Sequence, residues 1–597
     1  MKSSLLEVKN LIIEFQNESH LVHAVNGINF TLYKGETLGI VGESGTGKSV
    51  TALSIMRLIN PPGKIAGGEI IYHRKGLGPA DLLNLPENEV RLLRGNEIAM
   101  IFQEPMTSLN PVYTCGHQVA EAIILHQKCT KERAKQKTIE LFREVQLPRP
   151  ETIFNTFPHQ LSGGERQRVM ISMAISCNPS ILIADEPTTA LDVTIGHTII
   201  QLLKKLQKER GMSIIFITHD LGVIADLADR VVVMYKGKIV EEGTVGEIFT
   251  NPQDPYTKGL LACRPPLTQH YKRLPTISDF TITNAEDILT QSHTTIEDVT
   301  SKLIISKEER ENRHKELYAA EPILQIKNLK KYFSINNGLF SRSKEFVKAV
   351  DDVSFALYPG ETLGLVGESG CGKTTLGRTI LKLIDPTGGE ILYKGKNISA
   401  FSNREMRPLR KEIQLIFQDP YSSLNPRITI GEALMEPMRA HKLYDNENAR
   451  KNKVMELLSN VHLEETHFYR NPHEFSGGQK QRICIARALA LNPEFIICDE
   501  SVSALDVSIQ AEVLNLLLRL QKEFRLTYIF ISHDLSVVKF MSDRMMVMQN
   551  GKIVEIGESD SIYENPQTEY TKKLINSIPK GEIDNINRRI EIKKTNS

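Results

Sequence analysis

Short apolar runs alternate with longer amphipathic stretches along most of this chain. The runs Leu38–Val41, Ile181–Ala184 and Ile214–Ile217 contain only apolar residues and glycine. Continuous apolar strands of this length are typical of a parallel sheet that is covered on both faces. Apolar residues also recur at the spacing of an amphipathic helix, at Val454, Leu457, Leu458 and Val461. The pattern predicts an α/β fold with a helical subdomain beside the sheet.

The chain carries the same series of motifs twice. Residues 37–49 (TLGIVGESGTGKS) return as 362–374 (TLGLVGESGCGKT), and 161–165 (LSGGE) return as 475–479 (FSGGQ). Further along, ILIADE and ITH are repeated as FIICDE and ISH. A repeat of this kind predicts two tandem units of one fold. Matching residues of the two copies are 325 positions apart at the loop lysines, Lys48 and Lys373, but 314 apart at the later motifs. The difference of 11 indicates an insertion in the first copy, mainly across Arg74–Gly95.

These repeats set the expected domain boundaries. We place the first unit at residues 1–260 and the second unit at residues 321–578. A C-terminal extension and linker at 261–320 joins them, and a polar tail follows at 579–597. The linker is rich in Thr, Ser, Asp and Glu and has little periodicity, apart from a short helix expected near Lys307–Leu317.

Composition argues against several classes of function. The 597 residues include 73 Lys or Arg and 72 Asp or Glu, a net charge of 73 − 72 = +1, so no nucleic-acid partner is expected. A membrane span needs about 20 apolar residues, and the apolar runs here are only strand-length. The N-terminus lacks a signal-peptide core, which predicts a cytosolic chain. None of the seven cysteines lies in a CxxC pair, so neither zinc nor an iron–sulfur cluster is expected.

A glycine-rich loop follows the first apolar strand in each copy and precedes a helical pattern. Glycines let the backbone N–H groups turn toward a phosphate, and the helix N-terminus adds partial positive charge there. Lys48 is placed to reach the β- and γ-phosphates of ATP, and Ser49 to hold Mg²⁺. The predicted ATP-binding residues of the loops are Gly42, Glu43, Ser44, Gly45, Thr46, Gly47, Lys48, Ser49, Gly367, Glu368, Ser369, Gly370, Cys371, Gly372, Lys373, Thr374 and Thr375.

Polar side chains end the later apolar strands in the same order in both copies. A buried strand would not end in two acids for packing alone, because carboxylates are costly to desolvate. We predict that the first acid of each pair holds the metal and that the second is the general base for water. A histidine that ends the next strand is expected to contact the γ-phosphate. The predicted catalytic residues are Glu186, His219, Glu500 and His533; the predicted metal ligands are Ser49, Gln103, Asp185, Thr374, Gln418 and Asp499.

Together these motifs resemble the ATP-binding cassette ATPases over both units. The identifying element is SGGERQR at 162–168 and SGGQKQR at 476–482, which generic phosphate-loop proteins lack. The resemblance implies that two cassettes meet head to tail, so that each ATP lies between the loop of one unit and the SGG helix of the other. It adds as ATP-binding residues Ser162, Gly163, Gly164, Ser476, Gly477, Gly478 and two adenine-stacking aromatics, Phe15 and Phe333. The segments 190–192 (ALD) and 504–506 (ALD) match the loop that joins the two sites.

A narrower resemblance concerns the segments that flank these motifs. FQDPYSSLNPR at 417–427 and the NPQ-x-x-YT segments at 251–257 and 565–571 resemble the oligopeptide/dipeptide and nickel importer branch, here with both cassettes fused. The resemblance implies an ATPase that is peripheral to the cytoplasmic face of the membrane. Its implied partners are two transmembrane permease subunits and a solute-binding protein. Peptide, glutathione-like and metal-chelate cargoes all remain open, as does the relative activity of the two sites.

The alternative is a soluble tandem-cassette translation factor that acts on the ribosome. Such a protein shares the twin cassettes and the lack of membrane spans. It should carry a long basic linker for RNA, whereas the connecting stretch Leu274–Pro322 is short of Lys and Arg and leans acidic.

Overall fold

The computed structural model describes residues 3–16, 21–74, 76–103, 108–189, 191–283, 289–291, 294–335 and 345–578. The predicted polar tail at 579–597 lies outside the described residues. Within them, the two units repeat one design, with a mostly parallel sheet, an antiparallel sheet and a group of helices in each.

A six-stranded sheet forms the centre of each unit, and in the first unit five of its strands run parallel. In the first unit the order is Lys238–Thr244, Arg230–Tyr235, Thr37–Val41, Ser213–Ile217, Ile181–Asp185 and Ile98–Ile101. In the second unit it is Ile413–Ile416, Phe495–Asp499, Thr527–Ile531, Thr362–Val366, Arg544–Gln549 and Lys552–Glu558. Every residue of Thr37–Val41 and Ile181–Asp185 is buried, which confirms the predicted parallel sheet.

An antiparallel four-stranded sheet, which the sequence analysis did not predict, packs beside each central sheet. Its strands are Leu21–Tyr33, Ser4–Gln16, Gly63–Arg74 and Gly78–Asp81 in the first unit, and Glu345–Leu357, Leu324–Ile335, Gly388–Tyr393 and Lys396–Asn397 in the second. Register shifts between Val8 and Leu11 and between Leu11 and Ile12 interrupt the pairing of the first strand. Because each bulge changes which residues face the core, the simple alternation that reveals a strand is lost.

Helices cover the sheets and form the predicted helical subdomains. The described helices of the first unit are Lys48–Ile55, Glu87–Leu93, Cys115–Gln127, Lys131–Glu144, Pro150–Phe154, Gly163–Ile175, Val193–Arg210, Leu221–Leu227, Val245–Thr250 and Pro255–Ala262. Those of the second are Lys373–Ile380, Asn403–Leu409, Pro420–Ser423, Ile430–Ala440, Glu447–Asn460, Gly477–Leu489, Val507–Phe524, Leu535–Met541, Ser559–Glu564 and Glu569–Asn576. The predicted amphipathic helix is confirmed: Val454, Leu457 and Leu458 are buried within Glu447–Asn460, and Val461 is buried directly after it.

The linker is more structured than its composition predicts. It contains two short strands, Thr281–Thr283 and Leu289–Gln291, the helix Ile296–Thr300 and the predicted helix, which spans Lys307–Tyr318. Leu274 and Phe280 are fully buried, and Leu274 belongs to the hydrophobic core of the second unit.

Polar contacts also hold the linker on the second unit. Arg313 forms an ion pair with Asp543 at 2.8 Å, and Arg310 forms one with Asp560. The extension that follows the first unit therefore packs across onto its neighbour. No described helix combines the length and the apolar content that crossing a bilayer would need.

Candidate nucleotide-binding sites

Each glycine-rich loop forms a tight turn between a buried strand and a helix. Gly47 caps the helix Lys48–Ile55 with φ of +98°, and Gly372 caps the helix Lys373–Ile380 with φ of +113°. A Cβ atom would lie 2.5 Å from the carbonyl oxygen of Ala24 at Gly47 and 2.0 Å from that of Ala349 at Gly372. Both positions therefore require glycine for backbone angle and for space.

The loop lysines lie inside these turns. Lys48 Nζ donates hydrogen bonds to the carbonyl oxygens of Gly42 and Glu43, both at 2.7 Å. Lys373 Nζ donates to the carbonyl oxygens of Gly367 at 2.8 Å and Glu368 at 3.1 Å. Burial lowers the pKa of Lys48. The negative charges of nearby acids, of which Glu186 has the largest effect, act in the opposite direction. The ammonium groups are thus buried inside the loops, and their contact with a phosphate chain stays a prediction.

A hydroxyl and a carboxylate meet beside each loop. Ser49 Oγ donates to Asp185 Oδ1 at 3.0 Å, and Thr374 Oγ1 donates to Asp499 Oδ1 at 3.0 Å. Burial raises the pKa of Asp185 to about 6, although its hydrogen bond from Ser49 works in the opposite direction. These oxygen donors are of the kind that Mg²⁺ prefers, so the residues present fit the metal that the sequence predicts.

The glutamates form a compact constellation with the predicted glutamines and histidines. Gln103 Nε2 donates to Glu186 Oε2 at 3.2 Å, and His219 Nδ1 lies 3.3 Å from the same oxygen. In the second unit, Gln418 Nε2 donates to Glu500 at 2.8 Å and His533 Nδ1 lies 3.5 Å from it. The fold thus brings together the predicted glutamine, glutamate and histidine of each unit.

The electrostatics of these constellations favour an ionised glutamate. Burial opposes the charge on Glu186, but its hydrogen bond with His219 and the histidine's charge outweigh burial and lower the pKa of Glu186 to about 2. Burial likewise opposes the charge on His219, but Glu186 outweighs it and raises the pKa of His219. The pKa of Glu500 is lowered and that of His533 is raised for the same reasons. Each glutamate is therefore a carboxylate that can accept a proton.

Both glutamates also have an unusual backbone conformation. Glu186 has φ of +47° and Glu500 has φ of +45°, in the left-handed region that residues other than glycine seldom adopt. The N–H groups of Glu186 and Glu500 donate to the carbonyl oxygens of Ile217 and Ile531, each at 2.9 Å. Backbone strain of this kind is found at functional sites, and in the second unit Lys373 Nζ lies 3.9 Å from the Glu500 carboxylate.

Direct contacts join each loop to the other unit. Ser44 Oγ donates to Asp506 Oδ1 at 3.0 Å, and the N–H of Ser369 donates to Asp192 Oδ1 at 2.7 Å. Ser508 Oγ also donates to the carboxylate of Glu43. Asp192 and Asp506 belong to the segments that the sequence analysis matched to a loop joining two sites. The two units therefore face each other in opposite orientations, with each loop against the other unit's aspartate.

We expect the contact at Glu43 to make stability depend on pH. Burial, followed by the charge of Asp506, raises the pKa of Glu43 from 4.5 to about 7. Because the folded state holds this proton more tightly than the unfolded state, the stabilising contribution is full below about pH 4.5 and is lost as pH rises to about 7. Thermal unfolding of Glu43→Gln should depend less on pH across this window. Exposed Glu121→Gln should keep the wild-type profile; an unchanged profile for Glu43→Gln would contradict the assignment.

Each SGG motif begins a helix. Ser162 caps Gly163–Ile175, and its N–H and Oγ both donate to Glu165, at 2.9 and 2.7 Å. Ser476 caps Gly477–Leu489, and its N–H donates to the amide oxygen of Gln479 at 3.1 Å. The first motif therefore carries a carboxylate at its helix N-terminus where the second carries a neutral amide.

The two predicted stacking aromatics differ in their surroundings. Phe15 lies close to Gly63, where a Cβ atom would come within 2.6 Å of its ring. Phe333 is 41% exposed, and the Lys331 ammonium lies 4.9 Å from its ring centre. Both rings stand on the antiparallel sheets, on the strands Ser4–Gln16 and Leu324–Ile335. Their adenine-stacking role stays a prediction.

The structure adds site residues that sequence reasoning missed. The N–H of Glu43 donates to Tyr256 Oη at 3.1 Å, and the N–H of Glu368 donates to Tyr570 Oη at 3.0 Å. Thr189 Oγ1 donates to Glu186 Oε2 at 2.8 Å. The two tyrosines lie 314 positions apart, the same offset as the strand-ending acids, and that recurrence could have revealed them.

Comparison with known proteins agrees with this geometry. Residues 25–189 and 350–503 match the family described as "ABC transporter", and 240–288 and 554–596 match "Oligopeptide/dipeptide transporter, C-terminal region". The chain is similar to the glutathione import ATP-binding proteins GsiA of Shigella dysenteriae (strain Sd197) and Escherichia coli (strain K12). Each is 49% identical over 585 residues, which cover 97% of this chain and 90% of the relative. The protein of Pectobacterium atrosepticum is 49% identical over 576 residues, 96% of this chain and 89% of the relative.

These matches leave no support for the translation-factor alternative, since both units match a transporter family and the relatives described above are import proteins. The fused pair of cassettes and the importer-type C-terminal region are both confirmed. The geometry of the two loops and the matches over both units lead to one conclusion: the chain is an ATPase that belongs to the ABC transporter family.

Proposed function

We propose that two molecules of ATP bind between the units, and that their hydrolysis drives the import of glutathione or a related short peptide. The observation that carries this proposal is the pair of cross-unit contacts from Ser44 to Asp506 and from Ser369 to Asp192. These contacts face each phosphate loop toward the other unit. The identity of 49% with glutathione import proteins supports the cargo class.

Each proposed site combines residues of both units. One site uses the loop residues of the first unit, with Glu186 and His219, and is completed by Ser476, Gly477 and Gly478. The other uses the loop residues of the second unit, with Glu500 and His533, and is completed by Ser162, Gly163 and Gly164. A helix N-terminus offers unpaired N–H groups and partial positive charge, which suits a γ-phosphate.

The residues around each loop have separate roles in hydrolysis. Lys48 and the loop N–H groups bind and orient the phosphates, and Lys373 does so in the second unit. Ser49, Gln103 and Asp185 would hold Mg²⁺ in the first site, with Thr374, Gln418 and Asp499 in the second. When bound, Mg²⁺ supplies charge neutralisation at the β- and γ-phosphate oxygens.

Proton transfer is assigned to the glutamates. The ionised carboxylate of Glu186 accepts a proton from water as the water oxygen forms its bond to the γ-phosphorus. The bond from that phosphorus to the bridging oxygen breaks, and ADP leaves with the electron pair. His219 lies 3.3 Å from the Glu186 carboxylate, which it helps to hold in place, and we propose that it also contacts the γ-phosphate.

We expect the two sites to differ in their affinity for ATP because of Glu165. Its carboxylate places a negative charge at the helix N-terminus that would face the phosphates bound at Lys373, whereas Gln479 is neutral. A charge at this position changes helix-terminus interactions by about 0.3–1 kcal/mol, so Glu165→Gln should tighten ATP binding at that site roughly 2–5-fold. Equilibrium binding of a fluorescent ATP analogue measures the change. The reciprocal variant Gln479→Glu should weaken the other site, and equal affinities in all three proteins would contradict the difference.

The proposed partners are two permease subunits and a solute-binding protein, with this chain on the cytoplasmic face of the membrane. Large apolar side chains are exposed close to the segments that follow Gln103 and Gln418. Val112 is 71%, Tyr113 50% and Tyr421 61% exposed. We propose these residues as candidates for the contact with the permeases.

Uptake into membrane vesicles tests the cargo and the partners together. The vesicles contain this chain and the permeases encoded beside its gene. They should accumulate labelled glutathione when ATP is enclosed within them and the solute-binding protein, loaded with glutathione, is added outside. A dipeptide and a nickel chelate serve as competing cargoes. The Glu186→Gln, Glu500→Gln double variant is the control for ATP dependence. Uptake of the chelate alone would contradict the peptide proposal, and failure to bind the permeases would contradict the transport assembly.

A further inference from the structure

A basic cleft lies between the linker and the second unit, outside both proposed nucleotide sites. It has a volume of about 640 Å³, and segment 272–279 forms one wall. The helices Gly477–Leu489 and Val507–Phe524 form the other wall, through Arg482 and the residues from Glu512 to Lys522. The cleft is therefore built from a connecting segment and from two helices of the second unit.

The lining of this cleft carries an excess of positive charge. Its basic residues are Lys272, Arg273, Arg482, Arg519 and Lys522, and its acidic residues are Asp279 and Glu512. The lining alone has a balance of 5 − 2 = +3, which Glu309 and Glu523, two acids that pair with lining residues from outside the cleft, reduce to 5 − 4 = +1.

Some of these charges are paired within one wall of the cleft. Arg273 forms an ion pair with Asp279 at 2.7 Å, and Arg482 forms one with Glu512. Two further acids pair with lining residues from outside the cleft: Glu309 lies 3.8 Å from Lys272, and Glu523 lies 3.4 Å from Arg519.

The local electrostatics are consistent with a positive potential. The pKa of His462, which also lines the cleft, is lowered first by partial burial and then by the charges of Arg519 and Arg482. A positive charge on His462 is thus disfavoured mainly by burial and secondly by the two arginines, whereas the charges of Glu512 and Glu523 act in the opposite direction.

Neutral hydrogen bonds fix the two walls relative to each other. The N–H of Leu274 donates to Asn515 Oδ1 at 2.7 Å, and Asn515 Nδ2 donates to the carbonyl oxygen of Leu274 at 2.9 Å. Leu274 is fully buried, which anchors this pairing in the core. The hydroxyls of Thr276 and Ser278, 2.9 Å apart, also line the cleft. The basic groups therefore stand on a preformed surface, which lowers the entropic cost of binding.

We propose that this cleft binds a phosphate-bearing anion that bridges the linker and the helices of the second unit. Guanidinium groups match phosphate geometry in two-pronged hydrogen bonds, and an ammonium group such as Lys522 adds a point charge. The anion could be a soluble polyphosphate or an acidic phospholipid headgroup, and the experiment below separates these sources. Through Arg482 the bound anion would contact the helix that begins at Ser476.

Amide hydrogen exchange of the full chain tests the cleft. It reports protection peptide by peptide, so that binding at the cleft can be distinguished from binding at the phosphate loops. Inorganic pyrophosphate is one probe, and vesicles of phosphatidylcholine with or without phosphatidylglycerol are the other. We expect protection of peptides that cover 272–279 and 515–522. Protection by pyrophosphate assigns a soluble ligand, and protection only by phosphatidylglycerol vesicles assigns a lipid headgroup.

Charge variants test the assignment. The double variant Lys522→Glu, Arg519→Gln loses charge-assisted hydrogen bonds to the anion. Its affinity for the probe that protects these peptides should fall by at least about tenfold. Exposed Lys131→Glu, in the first unit, is the matched control and should bind as the wild type does. Thermal unfolding confirms that each variant is folded. The proposal is overturned if neither probe protects these peptides, or if the cleft variant and the control respond alike.

Discussion

Replacing both Glu186 and Glu500 with glutamine should leave almost no ATPase activity. A positioned general base accelerates proton transfer by about 10²–10⁴-fold, and glutamine keeps the size of the side chain but cannot take up the proton. Each single replacement should lower the steady-state rate, since it leaves one glutamate in place. Phosphate release under saturating ATP measures the effect.

Glutamine is a suitable replacement because the surroundings can remain intact. Thr189 and Gln103 donate hydrogen bonds to the Glu186 side chain, and an amide oxygen can still accept them. ATP binding should therefore persist in the double variant. Exposed Glu121→Gln is the control and should keep the wild-type rate. Full turnover by the double variant would refute the general-base assignment.

Alanine at Gly47 or Gly372 should abolish productive nucleotide binding at the altered site. The added Cβ would lie 2.5 Å from the carbonyl oxygen of Ala24 or 2.0 Å from that of Ala349, so the backbone must move. A displaced loop no longer aims its N–H groups, and hydrogen bonds to a charged group each contribute about 1.5–3 kcal/mol. Affinity for a fluorescent ATP analogue at the altered site should fall at least about 100-fold, since more than one such bond is lost.

Gly45 provides a control within the same loop. Its φ is +80°, and an added Cβ would meet nothing within 4 Å. Gly45→Ala should therefore carry only the strain of a left-handed alanine, about 1–2 kcal/mol, without a clash. If Gly45→Ala and Gly47→Ala reduced affinity equally, close packing against Ala24 would not be the reason that Gly47 is required.

Much of each site could be predicted because its chemistry is written in short segments. The loop lysine, the hydroxyl beside it and the strand-ending acids occur in fixed order, and parallel strands bring their carboxyl ends to one edge of the sheet. The structure accordingly places Ser49 at 3.0 Å from Asp185, although 136 positions separate them. The fold class followed from the apolar strands in the same way.

Other features could not be read from these segments. The bulged strand Ser4–Gln16 hides its alternation, so the antiparallel sheet was missed. The left-handed backbone of Glu186 and Glu500 carries no sequence signal of its own, because it results from the contacts around the residue. The linker looked poor in structure by composition, yet Leu274 and Phe280 are buried against other parts of the chain.

The sequence by itself determined the two repeated units, the phosphate loops and the identity of the acids and histidines beside them. These depend on residue type and on spacing within single elements. Only the tertiary structure decided how the units face each other, because Ser44 and Asp506 are 462 positions apart and Ser369 and Asp192 are 177 apart. It also decided that the linker packs on the second unit and that the partly buried Glu43 contacts Ser508 of the second unit. Such pairings depend on the shape and charge of complete surfaces, which exist only once each unit has folded.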